Sequence, residues 1–173
     1  MRSYLVLAGL VMLAACGGDD SSAPQEPTYP AASGTYAVSG GFDGATPQEA
    51  SFAGTVSVTQ ASRENPGLTG NFNVTATIGA SVFVLAGSLQ SATITTAGVI
   101  SFLVGDSEAS WSFSGTQSGT SFSGRHTLTD GVDAFSGSWS MQRTGNLTVV
   151  RDAARPSGAT GELMRQLART TLR

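Results

Sequence analysis

Histidine occurs once in the chain, at His126 within Ser121–Asp130 (SFSGRHTLTD), and cysteine occurs once, at Cys16. His126 could serve as general base to one of the many serines if Asp130 or Asp133 oriented its ring, the Ser–His–Asp arrangement of hydrolases. No G-x-S-x-G elbow, the turn that presents such a serine in α/β hydrolases, occurs in the sequence. Geometry defines a triad, and residue type alone does not. Alternation along the segment places His126 on one face with Phe122, Gly124 and Leu128, and Arg125 on the other. The expectation is a hydrogen-bonded histidine of the core or its rim, with no catalytic residue.

Carboxylates gather at Asp43, at Asp106 with Glu108, and at Asp130 with Asp133. Such pairs can hold calcium or cleave glycosides. Each also lies beside glycine or serine, where Asp caps its own turn and tolerates unusual backbone angles. No twelve-residue calcium loop is present, so turns are the expected role. With one cysteine there is no intrachain disulfide, and no Cys/His spacing fits zinc. Neither a metal nor another cofactor is expected. Trp111 and Trp139, with Met141, Phe113, Phe122 and Phe135, are candidates either for lining a ligand cavity or for packing a core.

The elements that must position these side chains are strands. The 173-residue chain carries 22 glycines, and only 12% of its residues are charged, about half the usual share. Its formal charge of −3, with nine arginines and no lysine, excludes a basic nucleic-acid footprint. From Gly34 to about Val150 the pattern has period two. Phe52, Gly54, Val56 and Val58 oppose Ala53, Thr55 and Ser57; Leu68, Phe72, Val74, Ala76 and Ile78 oppose a row of Thr and Asn. Trp111 and Phe113, then Phe135, Gly137, Trp139 and Met141, oppose serines. This is the pattern of half-buried antiparallel strands with a hydroxyl-rich outer face. Turn signals fall at ENPG (64–67), TAG (96–98), GDSE (105–108), QSGT (117–120), TDGVD (129–133) and RTGN (143–146).

Eight to ten strands in sequence form a meander, and closure into a small up-and-down β-barrel hides the edges; a β-sandwich is the alternative. Val82–Leu89 (VFVLAGSL) is apolar on both faces, so its outer side is expected to be covered. An aromatic-x-Gly unit recurs at Phe52, Phe113, Phe122 and Phe135. Glycine weakens a strand unless a ring from a neighbouring strand lies over it or the sheet bends there. With GTY near the start and GSW near the end, the plan resembles lipocalin- and avidin-type barrels in general outline only.

The N-terminus is built differently. Arg2 precedes a 12-residue apolar run, Tyr4–Ala15, that stops at Cys16. A charge, a short apolar stretch and small residues are the plan of a secretory signal, too short for the roughly 20 residues of a bilayer span. The order of LAAC (Leu13–Cys16) resembles the lipobox of bacterial lipoprotein precursors. That resemblance implies cleavage before Cys16 (signal peptide 1–15), a diacylglycerol on the Cys16 thiol and further acylation of the new N-terminus. It also implies a bacterial envelope location, with Gly17 in place of Asp directing the protein to the outer membrane. Two or three acyl chains hold a protein firmly, at about 0.8 kcal/mol per buried CH₂. Residues 16–33, rich in proline, small and acidic residues, read as an extended tether.

Residues 151–173 carry five arginines against two acids, a net +3, whereas residues 33–150 carry three arginines against seven acids, a net −4. Leu163, Met164, Leu167, Ala168 and Leu172 share one helical face, so a short basic amphipathic helix attached to the surface is expected. The domain plan is thus signal, tether, barrel (34–150) and tail (151–173). Its function is expected to be non-enzymatic. The membrane is a partner through lipid, and an envelope protein or a small hydrophobic ligand is the further partner. Whether the inward glycines leave volume or lie beneath rings separates the last two.

Overall fold

The computed structural model of the chain describes residues 25–145 and 159–171. Cys16, the apolar run before it and the first half of the tether (16–24) lie outside these residues, whereas in the second half, against the expectation of an extended tether, Ala32 is buried and Tyr29 packs against the core. The alternating segments form nine strands: β1 (Gly34–Phe42), β2 (Ala50–Gln60), β3 (Leu68–Ile78), β4 (Ser81–Ser88), β5 (Gln90–Ile94), β6 (Val99–Gly105), β7 (Ser110–Ser118), β8 (Ser121–Thr129) and β9 (Ala134–Gly145). One helix, α1 (Ala159–Thr171), follows. All nine strands join one antiparallel sheet in the order β4-β3-β2-β1-β9-β8-β7-β6-β5. The fold is all-β with a barrel-like plan, and the two packed sheets of a sandwich are not formed. The long-range closure is β1 on β9, from Thr35 opposite Gly145 to Phe42 opposite Gly137.

Tight turns make the hairpins. Gly79 and Gly119 take left-handed backbone angles (φ 56° and 60°) that a side chain would resist, and each opens a two-residue connection. The first three residues of RTGN do not turn: Arg143, Thr144 and Gly145 continue β9, because Thr35 and Tyr36 of β1 pair with the strand there.

The two ends of the sheet meet in an unusual way. The run Ser81–Ile94 pairs with β3 through its first part and with β6 through its second. Ser91, a non-glycine residue with left-handed φ (48°), and a register shift between Gln90 and Thr93 mark the change of partner. A bridge between Gly67 and Thr93, and the Ile94 N–H donating to Pro66 O (2.8 Å), join the start of β3 to β5. The sheet is therefore drawn together at this end, while β4 remains an edge towards the other.

Helix α1 packs on β3 and β4. Leu163, Met164 and Leu167 are fully buried in the same apolar core as the strands. This corrects the expectation of a surface-attached helix: the tail contributes core residues. A second correction concerns β4. Leu85 is buried and Phe83 packs partly on the core, but Val82 and Val84 on the outer face are 63% and 53% exposed. No described residue covers them.

Candidate functional site

Trp111, Phe113, His126 and Trp139 converge inside the curl of the sheet, joined by Phe42, Phe52, Phe72 and Phe102. Trp111 and Phe113 lie on β7, opposite Leu128 and His126 of β8, so alternation brings all four to one inner face. The ring centroids of His126 lie 5.0 Å from Phe42, 5.1 Å from Phe52, 5.5 Å from Trp111 and 5.7 Å from Phe113. Most of these pairs are edge-to-face, the arrangement that ring quadrupoles favour.

Both nitrogens of His126 are engaged. The Trp111 Nε1–H donates to Nδ1 (2.9 Å), so the ring hydrogen sits on Nε2, which donates to Gly41 O (2.9 Å). This neutral tautomer ties β8 to β7 and to β1. Burial among rings pushes the His126 pKa below its ordinary value; the bond to the Gly41 carbonyl opposes that shift, the Arg125 charge adds to it and Asp43 counters it. Neither nitrogen faces a serine hydroxyl or a carboxylate, so the ring has no acceptor position left for a nucleophile's proton.

Rings lie over three of the inward glycines, Gly40, Gly115 and Gly137. Phe52 pairs with Gly40 across β1–β2, and its ring occupies the space a Cβ at Gly40 would need. Trp139 pairs with Gly124, whose β7 partner is Gly115; a Cβ on Gly115 would lie 2.7 Å from the indole. Without side chains at these two positions the indole reaches the strand backbone, and its N–H donates to Arg125 O (2.9 Å) and Ser114 O (3.2 Å). A Cβ on Gly137 would lie 2.6 Å from His126 Nε2. Two of the four aromatic-x-Gly units, those of Phe113 and Phe135, thus place their glycine beneath a ring of an adjacent or next-but-one strand, whereas Gly54 and Gly124 lie against the backbone of the neighbouring strand.

The remaining candidates sit elsewhere. Phe122 is buried nearer the other end, edge-on to Tyr36 (5.7 Å). Phe135 is only half-buried: opposite Leu128, it lies next to the first pair of β9 with β8, at the rim where the core thins. Three inward rings, Tyr36, Phe42 and Phe102, are additional to those singled out, although the same period-two pattern carries them. The Tyr36 hydroxyl donates to Ala32 O (2.6 Å), and the Arg143 guanidinium lies 5.7 Å over its ring. Burial raises the Tyr36 pKa against the lowering effect of Arg143.

The carboxylates hold turns. Asp130 Oδ1 accepts from the Val132 and Asp133 N–H groups, and Asp106 Oδ1 accepts from those of Glu108 and Ala109. Asp43 takes a bidentate contact from Arg125 on the surface, and this holds its carboxyl below the usual range. Among the described residues no three His, Cys, Asp or Glu side chains come together as a metal would require. Two shallow depressions open on the outer face. One, of about 440 Å³, borders Ser101, Ser112, Ser114 and Arg125; the other, of about 650 Å³, borders Ser39, Asp43, Ser51 and Ser138. Compared with family models, curated proteins and solved structures, the chain has no match.

Proposed function

We propose that this chain is a lipid-anchored protein of the bacterial envelope. Its β domain is non-catalytic and serves as a scaffold for protein interaction, held to the outer membrane through acyl chains on Cys16. The placement of rings over Gly40, Gly115 and Gly137 carries the second half of this reading. A barrel of about eight strands is just wide enough to be filled by side chains or to hold one small ligand. Here these three glycines, positions where volume could have been left, lie against Phe52, Trp139 and His126. The outer face offers short hydroxyls on a rigid sheet, a surface that suits contact better than chemistry. The sequence LAAC at Leu13–Cys16 carries the first half, since it stands where an acylated cysteine requires it.

The test has two arms. Cells fed an alkyne-tagged palmitate should label the wild-type chain in the membrane fraction, and Cys16→Ser should lose both label and membrane recovery. Equal recovery of the two without label overturns the anchor. Titration of the domain with a fluorescent fatty acid should give no saturable enhancement; a stoichiometric rise would replace the scaffold by a carrier of hydrophobic ligands.

A further inference from the structure

Strand direction sorts the turns of the domain into two ends. The β1–β2, β3–β4, β6–β7 and β8–β9 connections share one end, the rim, and the β2–β3, β5–β6 and β7–β8 connections share the other. Residues 29–33 cross this second end before β1 begins. The Tyr29 N–H donates to Arg63 O (2.7 Å), and the Arg63 Nε–H donates to Tyr29 O (2.9 Å). The Gln117 amide donates to Ala31 O (3.3 Å), and the Ala32 N–H donates to Gln60 Oε1 (3.1 Å). Ala32 is fully buried and Tyr29 packs against the core. The N-terminal chain is thus fastened to β2, to the β2–β3 turn and to β7, and it leaves the domain beside Arg63.

Charge divides the same way. Six carboxylates stand on the rim connections, Asp43, Glu49, Asp106, Glu108, Asp130 and Asp133, against one guanidinium, Arg125, bonded to Asp43: a net −5. The opposite end carries Arg63 and Arg143 against Glu26 and Glu64, a net charge of zero. Its other exposed turn residues, among them Asn65, Pro66, Thr96, Ala97 and Thr120, are uncharged. Helix α1 begins at the rim, where Gly161 lies against Glu108. On the helix Glu162 and Arg165 pair with each other, and Arg169 in the last turn adds one positive charge. Assigned wholly to the rim, that charge still leaves −4 there.

Tyr29 follows Cys16 by thirteen residues, a reach of at most about 45 Å at about 3.5 Å per residue. A nine-residue strand such as β8 is about 30 Å long, so the rim lies most of that reach away from the point where the chain leaves the domain. The end beside Arg63 can meet a bilayer at any extension of the tether. The rim can do so only if the tether runs the height of the domain. Six carboxylates then enter the negative potential of an anionic leaflet, which falls off within a Debye length of about 8–10 Å. Asp19 and Asp20 follow Cys16 by three and four residues and stay beside the anchor in either orientation.

We infer that the end formed by the β2–β3, β5–β6 and β7–β8 turns is the bilayer-facing surface of the domain, its partner the headgroup layer of the membrane that holds the anchor. The inference rests on the lipid anchor proposed above. It adds an orientation that an anchor alone does not set: the domain stands on this end, and the acidic rim is turned to the water. The contact is polar. Asn, Thr, Pro, Ala and two charges of each sign meet the headgroups, and among the described residues no large apolar side chain is exposed there. The acyl chains on Cys16 supply the binding strength, and the charge difference between the two ends supplies the direction.

The experiment uses the full mature chain in vesicles of phosphatidylethanolamine and phosphatidylglycerol that carry a headgroup-linked energy-transfer acceptor. Single cysteines at three exposed positions take a maleimide donor: Ala97→Cys on the β5–β6 turn, Val84→Cys on the side of the domain and Val132→Cys on the rim. An acylated Cys16 does not react with it. Transfer should be strongest from Ala97→Cys and weakest from Val132→Cys, and the gap between them should widen as the share of phosphatidylglycerol rises. Equal transfer from these two, or stronger transfer from Val132→Cys, would overturn the orientation. Strongest transfer from Val84→Cys would overturn it as well, by laying the apolar outer face of β4 on the bilayer. Donor labelling of the wild-type chain at Cys16 would instead count against the anchor. A Cys16→Ser chain with hexahistidine in place of residues 1–15, held on a nickel-chelating lipid, keeps the exit beside Arg63. The same ranking of the three positions in that chain tests the orientation by itself, and its loss there overturns it.

Discussion

Replacing Trp139 by alanine tests whether the interior is a packed core. The indole is 3% exposed, lies 5.6 Å from Phe113 and 5.9 Å from Phe102 between ring centroids, and covers Gly115. The positions beneath it are glycines of the β7–β8 ladder, fixed by their own backbone pairing and without a side chain to refill the vacated space. The loss should therefore fall in the upper part of the range for a buried aromatic, about 3–5 kcal/mol. With a urea dependence of about 2 kcal/mol per molar, that is a fall in the unfolding midpoint of roughly 2 M. Circular dichroism is the suitable probe, since it does not depend on the tryptophan removed. Trp139→Phe keeps a ring over the glycines and loses only the N–H bonds to Arg125 O and Ser114 O, so its midpoint should lie between the other two. A Trp139→Ala midpoint within about 0.3 M of wild type would refute the reasoning, because a side chain lining an empty cavity is the one that can be removed at so little cost.

Acid should act through His126. Its folded pKa lies below its ordinary value of 6.5, so the unfolded chain binds the proton first. The contribution is complete above pH 6.5 and is lost as pH falls from there towards the folded pKa, with a slope of at most about 1.4 kcal/mol per pH unit. Unfolding midpoints between pH 7.5 and 5 should fall for the wild type and stay flatter for His126→Gln; parallel curves would remove His126 from the account. In the helix, Leu163→Ala should cost about 2–5 kcal/mol, as for a buried leucine. A silent substitution, read by the same urea titration, would mean that α1 does not belong to the core.

The strands were legible because alternation reports directly which side of a pleated sheet a residue occupies. Trp111, Phe113, Phe122 and Trp139 are buried for that reason. The same rule places Phe135 on the inner face but cannot say that it lies one rung from the end of β9, where the core no longer surrounds it. Nor does it reveal that Ser81–Ile94 changes partner near Ser91, since a single residue of the run takes a left-handed φ and no glycine or proline marks it. For α1, an apolar stripe states that a face is to be buried and not what buries it. The apolar outer face of β4 shows the converse. Val82 and Val84 led to the expectation of a cover, and the chain supplies none among the described residues.

These last two departures have one cause. A run that serves β3 with its first half and β6 with its second draws the sheet together only where the halves adjoin, at Gly67 and Thr93. Farther along, β4 and β6 diverge, and the inner side of the resulting wedge would expose Leu85 and its neighbours to water. Helix α1 fills that side with Leu163, Met164 and Leu167. Its seat also reaches the β6–β7 turn, where Gly161 lies so close to the Glu108 carboxylate that a Cβ would displace it. The outer side chains of Val82 and Val84 stay exposed, so the bend that closes one end of the fold also leaves an apolar outer face on β4 that no described residue covers.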